Sequence, residues 1–204
     1  MKNKALPTYG DPMVQKMIET FFDGNEAARV YADECQRSGR PLVIDHITIR
    51  CMNVDRRAEP FLKNGYRFEG EVVEYPDQGW WAKVYRRPGY PALFVDQAYE
   101  DERGGKSIIP AWVARFSDQV LHHVAVRVSD IDQTVAALKK RGVEFSGAVV
   151  GNKGTRLRQI FTASEVREGE AFSVLELTER NGYDGFYPEQ ADSLMQSSTK
   201  TRSK

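Results

Sequence analysis

The sequence predicts an α+β protein: two tandem βαβββ modules closing a curved sheet or barrel around a shared cavity, preceded by a helical extension. Three observations predict it. The segment Leu42–Cys51 and the segment Val120–Val128 are both rich in β-branched residues and both end in an Asn/Asp or Ser/Asp turn signal, so both read as strands. A constant offset of 77 residues relates His46 to His123, Arg50 to Arg127, Asp55 to Asp132, Lys63 to Lys140, Gly65 to Gly142, Phe68 to Phe145 and Gly70 to Gly147. That register holds through Val72-Val73 and Val149-Val150, which marks a duplicated supersecondary unit. Within each unit, a strand and helix are followed by three further strand candidates. One helix covers one face of four strands, so two such sheets bury their remaining faces by closing on each other.

Taken in order, residues 1–40 form the helical extension. Apolar residues recur at helical spacing (Met13, Met17, Phe21; then Ala27, Val30, Tyr31, Cys35), and Asp23-Gly24-Asn25 divides the stretch into two helices. Asp11 before Pro12 fits an N-cap with proline at the first helical position, and Gly39 fits a C-terminal stop. The first module spans 41–98. It comprises the His46 strand, a helix over 54–63 stopped by Asn64-Gly65, and strands over 66–74, 80–86 and 92–96. Residues 99–119 are a linker whose second half, Ile108–Val113, is apolar and has to pack somewhere. The second module spans 120–180, with strands over 120–128, 143–150, 156–162 and 171–179 and a helix over 131–141. Residues 181–204 hold a helix at 189–195 and a tail without apolar content, expected to be disordered.

Composition narrows the function classes. At 204 residues the chain is long enough for a core, and 41% hydrophobic with 28% charged residues is ordinary for a globular protein. Twenty-nine basic residues balance 29 acidic ones, which gives no electrostatic footprint for nucleic acid. No apolar run is long enough for a membrane span, and residues 1–12 lack the apolar segment of a signal peptide. Cys35 and Cys51 make neither a disulfide framework nor a zinc motif. The expectation is a reduced, soluble, cytoplasmic protein acting on a small molecule as a monomer or homodimer.

Strand periodicity places the chemistry. Side chains at i, i+2 and i+4 share a face, so His46, Thr48 and Arg50 project one way, as do His123, Ala125 and Arg127. Ile47 and Ile49, and Val124, Val126 and Val128, face the core. Polar groups facing an enclosed space are costly unless satisfied, so two His and two Arg there ask for a metal and an anion. The carboxylate is Glu176, the only acid inside the apolar run Phe172–Thr178 and in need of a partner. Two His and one carboxylate with open positions are the ligand field of non-haem Fe(II) oxygenases.

The duplicated module, with His46 and His123 on the first strands and Glu176 on the last, resembles the vicinal oxygen chelate (glyoxalase/dioxygenase) superfamily. Within it, Leu157–Thr162 followed by Leu175-Glu176-Leu177 is similar to the carboxy-terminal half of the 4-hydroxyphenylpyruvate dioxygenases. Asp45–Arg50, Tyr183–Phe186 and Ala191–Leu194 with Ser197–Thr199 resemble the 2-oxoadipate dioxygenase/decarboxylase (hydroxyglutarate synthase) family. The resemblance implies a non-haem Fe(II)-dependent dioxygenase that consumes O2 in the oxidative decarboxylation of a 2-oxo acid. It implies a metal held by His46, His123 and Glu176, with Arg50 clamping the far end of the substrate. A guanidinium binds both oxygens of a carboxylate there. The resemblance further implies Gln159 as a catalytic and substrate-binding residue, with Arg127 and Phe186 completing the expected substrate contacts. Iron is the expected metal; the Irving–Williams order also admits Zn, Ni, Co or Mn at such a site.

Two other functions share this fold. A metal-dependent lyase or isomerase of the glyoxalase or epimerase type would take a fourth ligand from the last strand of the first module, where Asp96 is the one acid. A non-catalytic small-molecule-binding protein would have no need of an intact triad.

Overall fold

The computed structural model describes residues 6–187 together with Gln190, Leu194, Met195, Ser197 and Ser198. Most of the helix expected at 189–195 and most of the tail after it lie outside the described residues. The elements in order are α1 (Pro12–Gly24), α2 (Glu26–Ser38), β1 (Ile44–Arg50), α3 (Val54–Lys63), β2 (Arg67–Tyr75), β3 (Trp80–Arg86), β4 (Ala92–Ala98), α4 (Ile109–Phe116), β5 (His123–Val128), α5 (Ile131–Lys140), β6 (Leu157–Phe161), β7 (Glu165–Arg167) and β8 (Glu170–Arg180). The class is α+β, and the chain divides into two compact units: His46–His122, and the remainder on either side of it.

The unit His46–His122 holds a sheet path β2-β3-β4-β1. β1 and β4 run parallel, with His46 beside Ala92, Thr48 beside Phe94 and Arg50 beside Asp96. β3 pairs antiparallel with both β4 and β2. Ile47, Ile49, Leu93 and Val95 are fully buried on the alternate face. α3 packs against β4, and its first turn is capped from the sheet: the Val54 amide donates to Gln97 Oε1 at 2.7 Å. Asn53 adds the conventional cap through the Arg56 amide. β2 is interrupted between Phe68 and Val72 by a bulge at Gly70, whose φ of 88° is a conformation that suits glycine.

In the other unit the path is β5-β8-β6, with β7 returning on β8 as a short hairpin arm. β5 runs parallel to β8 with Ala125 beside Glu176, and β6 runs antiparallel to β8 with Gln159 beside Thr178. α1 packs against β5, and α2 and α5 against β8. Asp11 caps α1 through the Met13 and Val14 amides, and Gly39 closes α2 at φ 66°, both as the sequence predicts. Asn25 ends one helix and caps the next. The last strand again caps its helix, since the Ile131 amide donates to Glu179 Oε2 at 2.8 Å. The two modules therefore repeat not only a strand but the way that strand fixes a helix.

Besides the short added strand β7, two segments differ from the sequence expectation. Residues 143–150 form isolated bridges, Phe145 to Thr162 and Val150 to Gln159, instead of a continuous strand. Ser146 and Gly147 lie between the bridges, and glycine gives a strand neither side-chain packing nor low backbone entropy. The apolar half of the linker is the helix α4, with Pro110 in its first turn and Ile109, Trp112 and Phe116 buried.

Candidate metal centre

Glu176 is the best-defined member of the site. It is 1% exposed, in the middle of β8, and neither of its oxygens relies on solvent. Oε1 accepts from Gln159 Nε2 at 2.6 Å and from the Thr178 hydroxyl at 2.7 Å. Oε2 lies 3.4 Å from His123 Nε2 on the neighbouring strand. Strand geometry explains the cluster: Glu176 and Thr178 share a face at i and i+2, Gln159 is the register partner of Thr178, and His123 sits two residues before Ala125, which stands beside Glu176.

His46 occupies the equivalent position on β1, 3% exposed. Its ring centroid is 5.1 Å from that of Phe94, and that of His123 is 5.1 Å from that of Phe161. Each imidazole is thus flanked by a phenyl ring on its own sheet, which restricts the ring rotation that a ligand has to give up. His46, His123 and Glu176 each offer one ligand atom, and these atoms all lie within 4.8 Å of one another. Two neutral imidazoles and a carboxylate suit a divalent transition metal, and the donor set fits Fe(II) as it would Zn, Ni or Co.

Arg50 ends β1 on the face of His46, 2% exposed, with its guanidinium 5.4 Å from the Trp112 ring of α4. Burial lowers its pKa to about 10, and Asp96 opposes that shift. Asp96, equally buried, is pushed up to about 7 by desolvation, with Arg50 and His46 pulling it down. It is not in the metal-ligand group found among the described residues. The β4 residue beside His46 is Ala92.

The other sequence-predicted site residues lie in the unit that holds Glu176. Gln159 donates to Glu176 itself. Arg127 turns to acids: it pairs with Asp45 at 2.8 Å and with Asp184 at 3.3 Å, and its side chain is 45% exposed. Phe186 lies against the Arg180 guanidinium at 4.6 Å. Arg180 also binds both Asp45 oxygens, at 2.7 and 2.8 Å, and donates to the carbonyls of Tyr183 and Gly185. His122 is buried with its ring 5.6 Å from Trp112, and Cys51 is a buried small side chain. The role of Thr178 and the pairing of Asp45 with Arg180 are not among the sequence expectations. For Thr178 a signal was present, two positions after Glu176 on the same strand face; for the Asp45–Arg180 pair there was none.

No protein-family model matches the sequence, and no curated protein matches it. Solved structures do. A hydroxyglutarate synthase from Oryza sativa, solved in complex with 2-oxoadipate, superposes with a TM-score of 0.74 at 17% identity, over 92% of this chain and 91% of that one. A 4-hydroxymandelate synthase variant from Streptomyces coelicolor gives 0.58 at 18%, over 79% of this chain and 55% of that one. A methylmalonyl-CoA epimerase from Mycobacterium tuberculosis gives 0.52 at 21%, over 68% and 88%. These are vicinal oxygen chelate proteins, and the chain has their fold. Among the described residues, no helix is long and apolar enough to cross a membrane.

Proposed function

We propose that the protein is an Fe(II)-dependent dioxygenase that oxidatively decarboxylates a 2-oxo acid. The observation that carries this reading is the convergence of His46, His123 and Glu176, all buried, on ligand atoms within 4.8 Å of one another. A two-His, one-carboxylate set leaves coordination positions for a substrate and O2. The bound metal would supply two-point chelation of the 2-oxo carboxylate and activation of O2. Over a turnover one O2 is consumed and one CO2 released, and both oxygen atoms of O2 end in a hydroxylated acid one carbon shorter.

The chain's own residues provide the remainder. Arg50 stands four residues beyond His46 on one strand face, about 13 Å along the strand from the rise per residue. It is placed to clamp a carboxylate at the substrate's far end, so a dicarboxylic 2-oxo acid is the proposed substrate class. With a pKa of about 10 it remains a cation at neutral pH. Trp112 packs over that cation and shields the salt link from water. The Gln159 amide has a second N–H besides the one given to Glu176, and this one is assigned to a substrate oxygen. Arg127, nearly half exposed, and Phe186, on the Arg180 guanidinium, are assigned to the rim. The similarity in fold to a hydroxyglutarate synthase solved with 2-oxoadipate supports the same choice of class.

The lyase or isomerase alternative wants a fourth ligand from β4. Asp96 is beside Arg50, and Ala92 is beside His46, which favours the three-ligand reading. The test is O2 uptake by anaerobically Fe(II)-loaded protein offered a panel of 2-oxo acids that includes 2-oxoadipate and 4-hydroxyphenylpyruvate. Uptake with matching CO2 release, absent in His123→Ala, is the expected result. Substrate proton exchange with solvent deuterium, without O2 uptake, would instead identify an isomerase.

A further inference from the structure

Glu176 raises a question that the ligand set alone does not answer. A carboxylate can bind a metal through one oxygen or through both, and the choice decides how many positions stay open. In this structure the two oxygens are not equivalent. Oε1 accepts two short hydrogen bonds, 2.6 Å from Gln159 Nε2 and 2.7 Å from Thr178 Oγ1, while Oε2 is the oxygen that faces His123. The two donors come from different strands and are register partners across the β6–β8 ladder, so the sheet itself fixes their separation. All three side chains are buried, at 4%, 0% and 1% exposure for Gln159, Thr178 and Glu176, so water does not compete for Oε1.

We propose that Thr178, together with Gln159, is a positioning residue that makes Glu176 a one-oxygen ligand by holding Oε1 away from the metal. This rests on the assignment of the metal to His46, His123 and Glu176. Thr178 acts through Glu176, to which its hydroxyl donates. Its hydroxyl is suited to the task because a β-branched side chain on a strand is stiff at χ1, so the Oγ1 position is set by the backbone. Two donors on one oxygen withdraw its lone pairs from coordination, which leaves Oε2 as the single donor that Glu176 would offer a metal. Partners of this kind are worth about 10- to 100-fold in metal affinity.

The test titrates metal-free protein with Co(II), reading affinity by chelator competition and coordination by the ligand-field absorption spectrum. Thr178→Val removes the hydroxyl and keeps the shape. The expected result is Co(II) binding about tenfold or more weaker, with an altered spectrum as Oε1 joins the metal. Thr178→Ser restores the donor and is expected to return both readings most of the way to wild type. Gln159→Leu reads the same oxygen from the neighbouring strand and serves if Thr178→Val fails to fold. Wild-type affinity and an unchanged spectrum in folded Thr178→Val, with Glu176→Ala still abolishing binding, would overturn the positioning role and leave the metal site standing. Failure of wild-type protein to bind Co(II) at all would overturn both.

Discussion

Arg50 and Asp96 are register partners on β1 and β4, each 2% exposed, on the strand face that carries His46. Asp96 Oδ1 has no hydrogen-bond partner. Desolvation raises the Asp96 carboxyl to about 7, with the Arg50 guanidinium and His46 pulling it down.

That arrangement predicts a pH-dependent cost. The folded pKa of Asp96, about 7, lies above the unfolded value of 3.8. Stability from this group is fully present below pH 4 and is lost as pH rises through 7. Three pKa units at about 1.4 kcal/mol each set an upper limit of roughly 4 kcal/mol. Urea unfolding of metal-free protein at pH 5 and pH 8 should show Asp96→Asn gaining stability relative to wild type at the higher pH. Equal differences at both values would exclude the effect.

Arg50→Met should select among substrates. A 2-oxo acid with a far carboxylate should lose about 100-fold or more in kcat/KM, because truncating one partner of a buried charge pair costs about 2–5 kcal/mol. A 2-oxo acid without that carboxylate should change far less. Steady-state kinetics with the two substrates separates a clamp from a residue that only supports the fold, which would weaken both alike.

Asp45 and Arg180 make an enclosed ion pair, 2% and 3% exposed at the side chain and bidentate. Asp45→Ala leaves Arg180 buried beside the Tyr183 and Gly185 carbonyls and should cost about 3–5 kcal/mol. Arg127→Ala, at the exposed edge of the same network, should cost at most about 1 kcal/mol. Denaturant midpoints measure both. A small effect at Asp45 would show that Arg180 finds other partners.

Much of this was readable from the sequence, for reasons that particular residues make clear. His46, Arg50 and His123 were legible because strand parity is local, and the 77-residue repeat fixed which face mattered. Glu176 was legible because an acid among Phe172, Val174, Leu175 and Leu177 has no inexpensive place to go. The pairing of Asp45 with Arg180, 135 positions away, was not, because periodicity says which face a side chain takes and nothing about its partner. α4 was hidden by its length: eight residues hold too few turns for a helical period to register. At 143–150 bridges stand in place of a strand where Gly147 keeps the spacing of the repeat but, beside Ser146, not its strand propensity.

The proposed function stands on one metal ion held between His46, His123 and Glu176. Equilibrium dialysis of metal-free protein against Fe(II) under anaerobic conditions, followed by metal analysis, tests it most directly on wild type and on the three single alanine variants. One ion per chain is expected in wild type and a loss of binding in each variant, with every variant still folded by circular dichroism. A variant that keeps wild-type affinity, or wild-type protein that retains no metal, would contradict it.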